Sequence, residues 1–401
     1  MENFDVLIVG GGHGGAQAAV ALRQLGFAGS VGIVSAEHDP PYERPPLSKD
    51  YLAGDKVFER MLIRPRGFWD ERAVALRLGR RVIAVRPERN IVECETGEAF
   101  GYGRLVWAAG GGPYRLRCPG GDGAHVHVIR GRADADALRS ALPRARRVAI
   151  VGGGYIGLEA AAVLRTLGHD VALLEAAERV LSRVAGPPLS AFYEREHCAR
   201  GVEIRTNVAV ETIENGAVRL AGGESIGADL VIAAIGIGAA AGPLLDAGAE
   251  GGDGVLVDPY CRTSLPEIYA VGDCALHANR FAGGATVRLE SVQNAHDQAT
   301  TAAKAIAGAP QPYDCVPWFW SNQYDLRLQT VGLMRGHDDV IVRGDSGERS
   351  FSLVYLREGR VIALDCVNAV RDYAQGRRLV VEGLAPDRAR LADATVPLKA
   401  L

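Results

Sequence analysis

Residues 4–9 (Phe-Asp-Val-Leu-Ile-Val) form a short apolar run of the kind a buried parallel strand needs, and they lead directly into Gly10-Gly-Gly-His-Gly-Gly15. Residues 16–25 are apolar at helical spacing, and Gly26 stands where a helix stop belongs. Residues 31–34 then read as a second strand. The unit recurs 142 positions on: residues 148–151 as strand, Gly152-Gly-Gly-Tyr-Ile-Gly157 as turn, 158–167 as helix, Gly168 as stop and 171–174 as strand. Residues 105–110 and 267–273 are two more apolar strands, ending in Ala108-Ala109-Gly110 and in Gly272-Asp273, and a helical run lies around 295–306. Beyond Tyr324 the pattern changes. Short alternating segments (328–333, 340–343, 350–356, 361–367) predict an antiparallel sheet, followed by a helix over 372–382.

A chain of 401 residues with 48% apolar and 23% charged positions folds and holds two to four domains, which excludes a disordered segment or a lone small module. Net charge is -3, with no long block of one sign, so no general affinity for nucleic acid or anionic membrane is expected. The longest apolar stretch, 231–245, is shorter than the ~20 residues of a membrane span and is interrupted by Pro243. Seven cysteines form no C-x-x-C and no zinc-ligand spacing, so no metal site is expected. Their odd number and the charged N-terminus point to a reducing, cytoplasmic setting. Lysines are scarce (49, 56, 304 and 399), so each bears individual weight.

A single G-x-G-x-x-G is weak evidence, but both copies follow a strand, open a helix and reach a second strand near an acid: Glu37 in the first copy, Glu175 in the second. That is the context of a dinucleotide fingerprint. Gly10 and Gly152 permit the tight turn, Gly12 and Gly154 let backbone approach a pyrophosphate, and Gly15 and Gly157 let helix pack on strand. His13 and Gly14, and Tyr155 and Ile156, complete the two turns. An acid after the second strand accepts hydrogen bonds from an adenosine ribose and repels a 2'-phosphate, so Glu175 favours NAD(H) over NADP(H); its plain alternative is a solvated strand-end acid. Two such sites without a second-substrate signature suggest a bound flavin dinucleotide and a diffusible nicotinamide one. Residues 40–49, stiffened by four prolines, hold Arg44 and Lys49 in fixed places or are simply a rigid surface loop. Asp273 is a candidate for a cofactor hydroxyl or a helix cap. Core packing is the default expectation for the aromatic run 318–320.

Five strings then resemble one family, the oxygenase-coupled NADH-dependent ferredoxin reductases: Pro-Tyr-Glu-Arg-Pro-Pro-Leu-Ser-Lys (41–49), Gly-Gly-Gly-Tyr-Ile-Gly-Leu-Glu (152–159), Tyr-Ala-Val-Gly-Asp-Cys-Ala (269–275), Arg-Leu-Glu-Ser-Val-Gln-Asn-Ala (288–295) and Pro-Trp-Phe-Trp-Ser-Asn-Gln-Tyr (317–324). The resemblance implies an α/β fold of two Rossmann-like, glutathione-reductase-like dinucleotide domains plus a C-terminal α+β domain. It divides the chain into an FAD domain (1–115 and 242–316), an NAD domain (116–241) and a C-terminal domain (317–401). It places Arg44, Lys49, Val82, Ala108, Gly110, Arg130, Asp273 and Val292 against FAD, with Lys49 by the flavin and paired with Glu159. Trp320 is placed near the isoalloxazine and Glu290 and the Ile235-Gly236 turn on the nicotinamide side, with Arg183 a further cofactor-binding residue. Implied with them are the cofactors FAD and NADH, a 2Fe-2S ferredoxin partner feeding a haem monooxygenase or ring-hydroxylating dioxygenase, and a monomer or homodimer. The rivals are a flavin disulfide reductase, which needs a relay cysteine absent from 40–50, an NADH oxidase, and an apoptosis-inducing-factor-like redox-gated binding protein.

Overall fold

The computed structural model describes all 401 residues, which group into two compact units. The first comprises Met1–Arg44, Phe58–Gly112 and Gly238–Pro317, and the second Pro45–Val57, Pro113–Ile237 and Trp318–Leu401.

In the first unit, strands Val74–Arg77, Val31–Val34, Glu2–Val9 and Ala99–Trp107 lie parallel in that order, and Ile268–Ala270 adds a parallel neighbour to Ala99–Trp107. An antiparallel ribbon, Ile91–Cys94 and Val82–Arg86, also attaches to Ala99–Trp107. Because successive side chains of a strand face opposite ways, the apolar run after Phe4 supplies two cores at once. Val6 and Ile8 pack with Ala16, Ala19, Ala299 and Ala302 of helices His13–Gln24 and Val292–Ile306. Leu7 and Val9 pack with Leu105, Trp107, Leu244 and Val255 on the other face. Alanine-rich helix faces allow close approach to the sheet, which is why so few large side chains fill this layer.

The second unit repeats the scheme: Glu203–Arg205, Asp170–Leu174, Arg147–Val151, Leu230–Ala233 and Val126–His127 form a parallel sheet in that order. The helix Tyr155–Thr166 follows its central strand. Both motif helices stop at glycines in the left-handed region, Gly26 at φ 77° and Gly168 at φ 91°, as the sequence predicts. The C-terminal portion is a five-stranded antiparallel sheet ordered Trp318–Gln323, Leu326–Gly332, Arg360–Val367, Ser350–Arg357, Asp339–Asp345. Helix Val370–Glu382 lies so close upon it that a Cβ on Gly376 would stand 2.5 Å from Leu364 Cδ2. This helix begins two residues earlier than its sequence pattern indicates. Within the same unit, Tyr155–Thr166 packs on Trp318–Gln323, and this contact builds much of the site described next. No helix is long and apolar enough to cross a membrane.

Candidate functional site

The two glycine turns are built alike. Gly10 has φ 114° and Gly152 φ 110°, and a Cβ on either would stand 2.3 or 2.4 Å from a carbonyl oxygen, Ala108 O and Ala234 O respectively. A Cβ on Gly15 would lie 1.9 Å from Gly10 O, and one on Gly157 2.1 Å from Gly152 O, so helix and strand meet at backbone contact. The middle glycines differ in kind. Nothing lies within 4 Å of a Cβ on Gly154, and the nearest atom to one on Gly12 is Arg44 Nε at 3.8 Å. Neither helix carries a side-chain cap, so each positive helix end faces open space flanked by glycine. That is the room and polarity a pyrophosphate requires.

The acids near the two second strands are not equivalent. Gly10 N donates to Val34 O and Gly152 N to Leu174 O, both at 2.8 Å, so the residue following the strand is Ser35 in the first copy and Glu175 in the second. Glu175 Oε2 accepts from Gly153 N at 2.6 Å and its Oε1 from Ala177 N at 2.8 Å, which fixes the carboxylate beside the turn. Glu37 lies two residues beyond the equivalent position and instead pairs with Arg44 and accepts from the Tyr42 hydroxyl. Burial acts against the Arg44 cation, but the charges of Tyr42, Glu37 and Asp273 outweigh it and hold its pKa above the ordinary value. Asp273 stands in the single turn Gly272–Cys274, while the cap of Val292–Ile306 is Ser291, whose Oγ accepts from Asn294 N at 3.0 Å. Asp273 is therefore not the cap of that helix.

Also in the first unit, Ala108 and Gly110 follow the end of strand Ala99–Trp107, Val82 packs partly buried on the core, and Val292 opens its helix. Exposed Glu290 pairs with Arg288 at 2.8 Å. In the second unit Gly236 takes φ 100°, its carbonyl accepts from Tyr114 N at 3.0 Å, and a Cβ on it would lie 3.4 Å from Arg183 Nη2. Ile235 precedes it, partly buried against the core of this unit, and Arg130 is half-buried before helix Arg132–Ala141.

Lys49 and Glu159, separated by over a hundred positions in sequence, meet in the second unit. Residues Pro45–Ser48 form one tight turn that presents Lys49, whose Nζ lies 2.7 Å from Glu159 Oε2 and 3.2 Å from Pro45 O. Ser48 Oγ donates to Glu159 Oε2 and Ser321 Oγ to Glu159 Oε1, each at 2.6 Å. Glu159 is 3% exposed, and a charge so buried persists only when paired and saturated with hydrogen bonds, which these partners supply. The two serines escape a reading of the sequence for charge. Only Ser321 leaves a signal, as a small polar residue at a buried position of an otherwise aromatic strand, between Trp320 and Asn322; Ser48, in the proline turn, leaves none. The core packing expected of the aromatic run does not hold: Trp318, Phe319 and Trp320 are all partly exposed. They form a tilted stack, with Trp318 and Trp320 centroids 5.6 Å apart and Phe319 4.7 Å from the Tyr155 ring. No group of three or more His, Cys, Asp or Glu side chains is placed to hold a metal ion.

Comparisons with known proteins cover nearly the whole chain. Residues 4–299 match the family model described as pyridine nucleotide-disulphide oxidoreductase, and residues 318–401 that described as reductase C-terminal. A 5,5'-dehydrodivanillate O-demethylase ferredoxin reductase subunit from a Sphingobium species is 61% identical, covering 100% of this chain and 99% of that protein. Putidaredoxin reductase CamA of Pseudomonas putida is 38% identical over 99% of this chain and 96% of its own. Among solved structures, that of the covalent putidaredoxin reductase-putidaredoxin complex superposes with a TM-score of 0.94 at 38% identity, covering 99% of this chain and 97% of that one.

Proposed function

We propose a function from one premise: this chain belongs to the pyridine nucleotide-disulphide oxidoreductase family, and within it to the ferredoxin reductases of oxygenase systems. It is an NADH-dependent ferredoxin reductase carrying FAD, and it supplies electrons through a 2Fe-2S ferredoxin to a terminal oxygenase. When bound, FAD would supply the chemistry that joins a two-electron hydride donor, NADH, to a one-electron acceptor, the ferredoxin. The rest is the work of the chain. The Gly10–Gly15 turn receives the FAD pyrophosphate and the Gly152–Gly157 turn that of NADH, both at open helix ends. Glu175 reads the nicotinamide nucleotide's ribose. Arg44 and Asp273 steady FAD, and Trp320 stands on the partner side. The similarity to the demethylase subunit favours an aromatic O-demethylating oxygenase as the final consumer. All seven cysteines are unpaired, which suits work in the cytoplasm.

The observation that carries this reading is the Lys49–Glu159 pair. An ammonium has three donors, and Glu159 and Pro45 take two, so Lys49 would keep one with which to hold a bound flavin. A fixed positive charge in a dry site favours negative charge developing beside it far more than the same charge does in water. A disulfide reductase instead needs a reactive thiolate. Cys274, the one cysteine inside the five strings, is fully buried, and burial pushes its thiol up to about 12, the reverse of activation. Replacing Lys49 by Met is expected to slow NADH-driven flavin bleaching in stopped flow by about a hundred-fold, the scale of one lost preorganised donor. An unaltered rate would return Lys49 to a structural role.

A further inference from the structure

Glu159 is the inner end of a longer polar array that crosses the second unit. Ser321 Oγ, 2.6 Å from Glu159 Oε1, is 3.2 Å from Gln323 Nε2. Gln323 Oε1 lies 2.8 Å from His197 Nε2, and His197 Nδ1 lies 3.3 Å from the Tyr324 hydroxyl. Ser321, Gln323 and His197 are fully buried, at 0%, 1% and 0% exposure. At the outer end the Arg200 guanidinium lies 4.4 Å over the Tyr324 ring, and Arg200 and Arg349 pair with Glu196 and Asp325.

We propose that Ser321, Gln323, His197 and Tyr324 form a one-directional hydrogen-bond chain that positions the Glu159 carboxylate and, through it, Lys49.

The direction follows from one end. A carboxylate only accepts, so Ser321 must spend its single proton on Glu159 and present its oxygen to Gln323. Gln323 therefore turns its amide nitrogen to Ser321 and its oxygen to His197. His197 must then carry its proton on Nε2, leaving bare Nδ1 to accept from Tyr324. Every donor points towards Glu159. The imidazole is neutral as this requires: burial pushes it down to about 4, with Arg200 lowering it further and Gln323 and Glu196 opposing. An amide in the middle does not hand on protons at neutral pH, so the array transmits orientation only.

Backbone conformation supports the assignment. Tyr324 sits in the left-handed region at φ 55°, a costly conformation for a bulky residue, at the hairpin between Trp318–Gln323 and Leu326–Gly332. The turn brings its ring 5.1 Å from that of His197. A two-residue hairpin loop calls for φ above zero at its first central residue, so the turn itself sets this conformation and in doing so holds the ring beside His197 and Arg200.

This inference rests on the reading of Lys49 given above, and its test separates the two. In holoprotein labelled with 15N-histidine, His197 is identified by the signal lost in His197→Asn. The wild type is expected to show Nε2–H with unprotonated Nδ1. In Glu159→Gln the new amide can donate to Ser321, so each link turns over and His197 is expected to shift to the Nδ1–H form. Wild-type Nδ1–H, or a tautomer indifferent to Glu159→Gln, overturns the chain. Ser321→Ala is expected to slow flavin reduction by about ten-fold, the worth of one hydrogen bond to a charged group, and Ser321→Thr, which keeps the hydroxyl, to restore it. An unchanged rate in Ser321→Ala overturns the positioning role. Failure of the Lys49 reading shows separately, as an unaltered rate in Lys49→Met, while the His197 tautomer judges the chain in either case.

Discussion

At the scale of single residues, the two acids that look alike in sequence do different work. Glu175 accepts two backbone N–H groups and, with about four lone-pair sites on an ionised carboxylate, keeps capacity for a ribose. Glu37 is committed to Arg44 and Tyr42. Glu175→Ala is expected to raise KM for NADH about ten-fold and to narrow the preference over NADPH by a similar factor, since both a ribose acceptor and a repulsive charge are removed. Steady-state kinetics with both nucleotides check this. An unaltered preference would mean that another side chain reads the ribose. The difference between the acids has a small cause. Gly26 and Val31 are separated by two residues more than Gly168 and Val171, so the offset of 142 that holds through the turn and helix becomes 140 at the strand; the counterpart of Glu175 is then Ser35, and Glu37 is simply the next acid, two residues beyond it. Periodicity reveals a strand but does not count the loop before it.

At the scale of elements, the strand–turn–helix units were legible because their requirements are local. Gly15 and Gly157 show how tight those requirements are: a Cβ would sit 1.9 and 2.1 Å from the carbonyls of Gly10 and Gly152, backbone atoms that cannot move aside without displacing the helix. Gly15→Ala is expected to be purified with FAD content reduced by more than half. Gly157→Ala should keep its yellow colour while KM for NADH rises at least about ten-fold, following the one-turn-one-nucleotide assignment. Flavin absorbance per protein, with NADH titration, distinguishes these outcomes; matching defects in both variants would mean that the two turns do not serve separate nucleotides. Four of the five strands of the antiparallel C-terminal sheet were equally readable from alternation, down to Ser350 as the first residue of one. The aromatic run was not. Its residues belong to a strand whose two faces carry different neighbours, and alternation alone cannot tell a buried neighbour from open space. Likewise Ser48, Glu159, His197, Ser321 and Gln323 come from separate segments, so only the folded chain reveals them as one polar array.

At the scale of the whole molecule, folding stability sums groups that no single motif announces. Asp365, in strand Arg360–Val367, is nearly inaccessible, and burial raises its carboxyl to about 7, opposed by the hydrogen bond from the Tyr355 hydroxyl at 2.6 Å. His197 and His277 are shifted the other way, to about 4 each, chiefly by burial. The signs follow from proton binding. Between pH 4 and about 6.5 the unfolded chain binds more protons at the two histidines, so stability rises with pH through them, while over about 4 to 7 the folded chain holds the Asp365 proton more tightly and stability falls through it. His127, whose pKa burial also lowers, adds a third contribution that rises with pH, so the histidines outweigh the one falling carboxyl up to about pH 6.5, and above that Asp365 dominates. The melting temperature of the holoprotein is therefore expected to climb from acid pH, to peak near pH 6.5, and to decline slightly towards pH 7.5. Asp365→Asn keeps an acceptor for Tyr355 and cannot ionise. Its melting temperature should match the wild type near pH 4, exceed it increasingly up to about pH 7, and show no decline beyond the peak. Scanning fluorimetry across this range checks the sign directly: a variant that is less stable at pH 8 would show that the ionised carboxylate is held by the fold, so that its burial is not the dominant influence on the site.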